Sequence, residues 1–279
     1  LPTLTRLAEP PLGAETVEKA QMMFVGMRGW SRAEAWATSA ESKAVLEALD
    51  RATVGDTYDT AMAFALPYGV DGVSVDLIRN GLYSDLGDPP LLAGATHLYM
   101  SRFEDLRCLV HIEATRLRGE GRIVDAMDLL IDLAQFGYQI ADRETLKESR
   151  WGYRTMADAI ARVRDIAYLD FKDKRTVDLD GMKDVIDRLD PQSGPIRLDR
   201  LNFPRVNRLA AEQLIEVLYE ERGGVDQNRF VATMVRLATS DRPLRRFSAA
   251  SRFEANMGNQ QDWFDIDDVL KDVFADWEK

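Results

Sequence analysis

The chain is predicted to be all-α. Apolar residues recur at helical rather than alternating spacing almost throughout, and helix-start signals repeat along the sequence. No segment shows the β-α-β alternation of a parallel sheet or the evenly spaced short strands of a sandwich. The expected architecture is an irregular multi-helix array of stacked helical hairpins, solenoid-like or bundled. With 279 residues, 46% of them hydrophobic, the chain can bury a core of one large domain or two ordinary ones.

Residues 1–13 (LPTLTRLAEPPLG) hold three prolines and read as an extended arm. An apolar stripe follows from Ala14 to Met27. Ser31 with Glu34, and Thr38 with Glu41, match the capping box in which side chains satisfy backbone N–H groups at a helix start. Asp56 is placed to cap a helix over 57–66 that Pro67 ends. The interval 67–88 is turn-rich with one short helical piece, and "VSV" at 73–75 is too short for a strand. Asp88 followed by Pro89 reads as a cap and first turn, opening the longest helix, to about Arg118. Further helices are expected at about 122–141, 144–170, 179–189, 204–222, 227–239, 243–257 and 263–278. Pro191, Pro195 and Pro204 mark a linker. The expected organisation is the arm, a helical core over 14–175, and a helical region over 176–279 packed on it or continuous with it.

Between the expected 89–118 and 122–141 helices lies "GEGR" at 119–122. A phosphate-cradling loop follows a strand and carries a lysine or hydroxyl at its end. Here a helix precedes it, and Glu120 would repel the phosphate. It reads as a helix–turn–helix corner in which glycine supplies a positive φ. Beyond it, Ile123, Ala126, Met127, Leu130, Ala134, Gly137 and Ala141 share one face. Asp125, Asp128, Asp132, Gln135, Gln139 and Asp142 share the other, expected to be solvated.

"GRIVDAMDLL" resembles the turn and second-helix start of a tetratricopeptide hairpin, over about residues 107–140. Gly121 and Ala126 stand at the glycine and small-residue positions, and Ala114 at the small position of the first helix. Glu113, Leu117 and Tyr138 stand where that family has leucine, tyrosine and proline, and no second copy follows at its repeat period. The resemblance implies stacked hairpins that present a surface to partners.

The excess of 47 acidic over 36 basic side chains, net −11, argues against a nucleic-acid partner, which is bound by cationic side chains. No apolar run approaches the roughly 18–20 residues of a membrane-spanning helix. A leader or anchor ahead of Leu1 stays open, and the single cysteine, Cys108, is compatible with a cytoplasmic or an exported protein.

Two histidines, His97 and His111, restrict the chemistry available. Both fall on the expected 89–118 helix, fourteen residues and about 21 Å apart, too far to share a metal ion. Glu104, Cys108 and His111 share one face of that helix and could together ligate a transition metal, with a further ligand from another segment. No Glu-x-x-His occurs, which removes the carboxylate-bridged di-iron bundle. "TVDLDGMKDVID" at 176–187 resembles part of a calcium loop, with Thr176 at the first ligand position and Asp187 at the last. No nucleophile elbow, zinc-protease or kinase motif appears.

At the C-terminus, 242–253 (RPLRRFSAASRF) carries Arg242, Arg245, Arg246 and Arg252 with Phe247 and Phe253, a pattern able to bind RNA. The helix after it places Trp263, Ile266, Val269, Leu270, Val273, Phe274 and Trp277 on one face, against aspartates on the other. That face must be buried on this chain or on another. The leading expectation is a non-catalytic helical scaffold or assembly subunit acting through protein–protein contacts, with no cofactor, and a homo-oligomer fits as well. The contact residues would be Trp263, Ile266, Leu270, Val273, Phe274, Trp277, Arg245 and Arg246. The alternatives are a metal-binding protein or metalloenzyme built on Glu104, Cys108 and His111, and an RNA-binding protein using Arg242 to Phe253.

Overall fold

The computed structural model describes residues 3–53, 67–143, 145–173, 179–201, 205–219, 224–239 and 263–277. Among these the protein is all-α, as the periodicity predicts. The helices are α1 (Val17–Met22), α2 (Trp30–Ala37), α3 (Ala40–Thr53), α4 (Val75–Arg79), α5 (Met100–Gly119), α6 (Ile123–Ala141), α7 (Leu146–Asp173), α8 (Leu179–Leu189), α9 (Val206–Leu218), α10 (Gln227–Thr239) and α11 (Trp263–Trp277). Strand is confined to one antiparallel ladder, β1 (Ser84–Asp85) with β2 (Thr96–His97). Contacts divide the chain into two compact units. One comprises 1–65, 99–143 and 147–202, and the other 66–98, 144–146 and 203–279.

The first unit is centred on the α5–α6 hairpin. Its corner is the one expected from "GEGR". Gly121 has φ +82°, its N–H donates to Arg118 O (3.0 Å), and Arg122 N–H donates to Leu117 O (2.9 Å). These are the paired bonds that close a helix through a left-handed residue. Helices α1 and α2 pack on α5, while α3 and α8 pack on α6. The centre is aromatic: Phe103 lies 5.2 Å from the rings of Tyr99, Phe136 and Trp151.

Three local expectations are corrected. Ser31 lies inside α2, whose N-cap is Gly29 at φ +94°. Thr38 ends that helix, its hydroxyl donating to Glu34 O (2.8 Å), and Ser39 supplies the oxygen that accepts from Ser42 N–H at the start of α3. The polar face of α6 is solvated only in part, at Asp125. Asp132, Gln135 and Gln139 are buried, Arg188 of α8 donates to Asp128 (2.9 Å) and Asp132 (2.6 Å), and Gln139 donates to Ala52 O of α3. Neighbours on both sides convert what periodicity reads as a water-facing edge into two more interfaces.

The 89–118 helix is also corrected: it begins only at Met100, and residues 89–98 belong to the second unit. The Asp88–Pro89 bond is cis, Leu92–Gly94 forms a single 3-10 turn, and Thr96–His97 pairs as a strand. Distant side chains hold this segment. Gln213 of α9 accepts from Leu92 N–H (2.8 Å) and donates to Pro90 O (3.2 Å), and Arg236 of α10 donates to Pro89 O (2.6 Å) and Leu86 O. The backbone groups that a helix would have paired internally are satisfied from elsewhere. The expected helices over 57–66 and 243–257 lie outside the described residues.

Candidate functional site

Glu104, Cys108 and His111 all lie on α5, where Glu104 and His111 Nε2 engage protein groups and Cys108 is buried. Glu104 accepts from Arg107 (2.8 Å) and from the Trp151 indole N–H (2.7 Å). Cys108 is buried, and burial, reinforced by the fields of Glu104 and Asp105, pushes its thiol up to about 12. His111 Nε2 lies 3.1 Å from the Gln21 amide nitrogen, and its Nδ1 is buried without a partner. Among the described residues no group of three or more His, Cys, Asp and Glu side chains is placed to hold a metal ion.

His111 titrates far below its usual range, at about 3, first because it is buried and then because Arg162 and Arg107 repel a second positive charge. The folded chain therefore resists a proton that the unfolded chain accepts near 6.5. This contribution to stability is complete above that pH and is lost as pH falls towards 3. Between pH 6.5 and about 5 one proton removes about 2 kcal/mol. In urea titrations at stepped pH, His111→Gln is expected to flatten the stability loss across that interval. A variant as pH-sensitive there as the parent would show that another group controls it.

Below His111 on α5, Arg107 is fully buried. It donates to both oxygens of Glu104 and to Asp158 of α7, and its guanidinium lies 5.7 Å from the centre of the Trp151 ring. This network ties α5 to α7. Both Nη groups of Arg107 are spent on these carboxylates, while its Nε is buried without a hydrogen-bond partner, and the network is structural.

His97, expected on the long helix, sits instead on β2. Its Nδ1 is 2.6 Å from Ser84 Oγ across the ladder and its Nε2 is 3.4 Å from Thr145 Oγ1, with Tyr68 edge-on to the ring. A serine–histidine pair at this distance has the spacing of an activated nucleophile. Ser84, however, has no exposure to solvent and its strand partner covers it, so a substrate reaches the hydroxyl only if the ladder opens. The pair fastens two very short strands together.

The C-terminal contact residues divide. Leu270 of α11 packs against a core of Ile215, Leu218 and Tyr219, joined by Val225 and Phe230. Phe274 is half-buried, while Val269 and Val273 are 54% and 45% exposed. Trp263, Ile266 and Trp277 belong to α11, but their side chains lie outside the described residues, as do Arg245, Arg246 and all of Arg242 to Phe253. Thr176 lies outside them too, and Asp187 falls within α8. Because Leu270 is part of the α9 core, truncation after Gln261 is expected to lower the urea midpoint and raise binding of a hydrophobic dye. An unchanged midpoint would place α11 outside the cooperative unit.

An accessible apolar stripe lies on α7. The buried face of this helix carries Trp151, Met156, Ala159, Val163 and Ile166. A second stripe on the same helix points to water: Tyr153 (48% exposed), Ile160 (38%), Tyr168 (63%) and Phe171 (66%), with Ala157 and Arg164 between them. Positions 153, 157, 160, 164, 168 and 171 follow one another at three- and four-residue steps, the spacing of a helix seam. At the C-terminal end of α7, Leu169 and Asp170 face Phe24 and Val25 of the α1–α2 loop across a cleft of about 240 Å³. Phe24 and Val25 are themselves 60% and 53% exposed. Sequence periodicity located α7 but not this surface. The available signal was an aromatic-rich helix with apolar residues on two faces, one more than a single core interface uses. No protein family, curated protein or solved structure matches this chain.

Proposed function

We propose that the protein is a non-catalytic helical scaffold or assembly subunit, and that the exposed face of α7 seats a helix of a protein partner. The observation that carries this reading is the stripe of Tyr153, Ile160, Tyr168 and Phe171 at seam spacing. Single exposed apolar residues are ordinary on a protein surface, but large ones aligned along five turns of one helix are what a partner buries. A second copy of this chain is one such partner. The tetratricopeptide-like α5–α6 hairpin is in keeping with a protein that works through surfaces.

The test is the pair Ile160→Glu with Tyr168→Glu. Both side chains face water in the single chain, so its unfolding free energy should move by no more than about 0.5 kcal/mol per site. Capture of partners from the native source, quantified by mass spectrometry together with the protein's own mass in solution, should fall sharply. Equal capture and equal mass with the parent and the double variant would rule out α7 as the contact face.

A further inference from the structure

The cleft between α7 and the α1–α2 loop carries a charge pattern that contacts among the described residues do not account for. Its walls include Phe24, Val25, Ile123 and Leu169 on the apolar side and Thr115, Arg118 and Asp170 on the polar side. Arg118 is half-buried and forms neither an ion pair nor a side-chain hydrogen bond among the described residues. Behind Thr115 stands Arg162 of α7, whose Nη2 donates to Thr115 Oγ1 (3.2 Å) and whose Nε is buried with no partner. The Thr115 hydroxyl proton is already given to His111 O (2.9 Å), so its oxygen accepts from Arg162 and fixes that guanidinium against the wall.

Arg118 lines the cleft and Arg162 stands behind its Thr115 wall, and among the described residues no carboxylate is bonded to either. Burial, and then the repulsion of Arg118, lowers the proton affinity of Arg162, and the field of Asp165 does not offset them. Asp165 is exposed and paired with Arg164. Asp170, the acid in the cleft wall, is buried and engaged in an interaction of its own. Elsewhere in the first unit, buried or half-buried arginines meet acids directly: Arg107 with Glu104 and Asp158, Arg116 with Glu113 and Glu120, Arg188 with Asp128 and Asp132. Holding two like charges together in a partly desolvated place is costly unless an anion joins them.

We infer that this cleft binds a small organic anion, a carboxylate or phosphate head on an apolar body, with the head at Arg118 and the body along Phe24, Val25 and Leu169. Arginine suits such a head because its planar fork matches two oxygens at once, and Arg162 adds a second positive charge one side chain away. The volume matches the body: about 240 Å³ exceeds the roughly 150 Å³ of an apolar cavity that admits benzene. The cleft would therefore take a ring-sized or short branched group. This site is separate from the α7 stripe and stands whether or not a protein docks there.

Isothermal titration of the full chain at low salt with phenylacetate, phenyl phosphate and the neutral phenylacetamide tests it. Saturable binding of one or both anions is expected, with the stronger naming the head group, and phenylacetamide should bind at least about tenfold more weakly. Arg118→Gln should weaken the anion by about tenfold or more, and Arg162→Gln by a smaller factor, with helical content checked by circular dichroism. Binding of phenylacetamide equal to that of the anions, no binding of either anion up to millimolar concentration, or full anion affinity in a folded Arg118→Gln would each overturn the inference. The comparison of charged and neutral probes uses the parent protein alone and decides the matter even if a variant fails to fold.

Discussion

Replacing Gly152 with leucine is expected to destabilise the protein by more than about 3 kcal/mol, near or beyond the upper end of ordinary overpacking. Gly152 on α7 and Gly137 on α6 meet backbone to backbone. A Cβ at 152 would lie 2.3 Å from Gly137 O and 2.5 Å from Ala141 N. These are main-chain atoms, so no side-chain rotation relieves the clash and the helices have to separate. Ser149, one turn before Gly152, donates to Ala141 O (2.9 Å), which fixes the crossing at the same place. Separation would open the contact between Phe136 and Trp151, whose rings lie 6.1 Å apart. Alanine for glycine within a helix gains about 1 kcal/mol of propensity, so the sign of Gly152→Ala is itself informative. It should still be destabilising. At Gly137 the nearest atoms to an added Cβ are 3.0–3.1 Å away, and the same change there should cost less. Urea midpoints should fall in the order parent, Gly137→Ala, Gly152→Ala, Gly152→Leu. A neutral Gly152→Ala would mean that the helices do not cross at this point.

Glu104→Gln combined with Asp158→Asn is the second change with a large expected effect. Arg107 has no exposure, and these two acids are the carboxylates it pairs with. Their amides keep the shape and remove the charge, leaving a buried guanidinium without a counterion. Stranding one member of a buried ion pair costs about 3–5 kcal/mol, so the double variant should lose about that much. Each single variant should lose less than half of it, since the remaining acid still neutralises the guanidinium. Arg107→Met removes the buried charge and leaves acids that are partly exposed and can be hydrated, at 43% and 34% of their side-chain surface. It should therefore be milder than the double amide. If Arg107→Met proved the more damaging, packing over Trp151 rather than charge would be the main contribution of that residue.

The helices whose limits were legible in the sequence are those with a strong single stripe and clear punctuation. α8 and α10 begin and end where periodicity placed them, and α6 is bounded by Gly121 and by the break after Ala141. Residues 89–99 were misread because their conformation is set by Gln213 and Arg236, more than a hundred positions away, and no local pattern reports such partners. The same cause hid the burial of Asp132, which waits on Arg188. α1 is shorter than its stripe, since Met22, Phe24 and Val25 carry that pattern onto the surface instead of into a core. Candidate sites were harder to read than elements. Glu104, Cys108 and His111 do share a helix, but spacing along one helix cannot show that Trp151, Arg107 and Gln21 occupy them. The α7 stripe was invisible for the converse reason, because apolar residues on two faces do not say which face meets water.

The direct test of partner docking on α7 is a photo-cross-linking amino acid placed at Ile160, compared with the same residue at Glu47, which is exposed on α3. In the native source, Ile160 should yield a discrete cross-linked species, either this chain with itself or with another protein, while Glu47 yields none. Cross-linking at Ile160 no stronger or more specific than at Glu47 would contradict an interface on this helix.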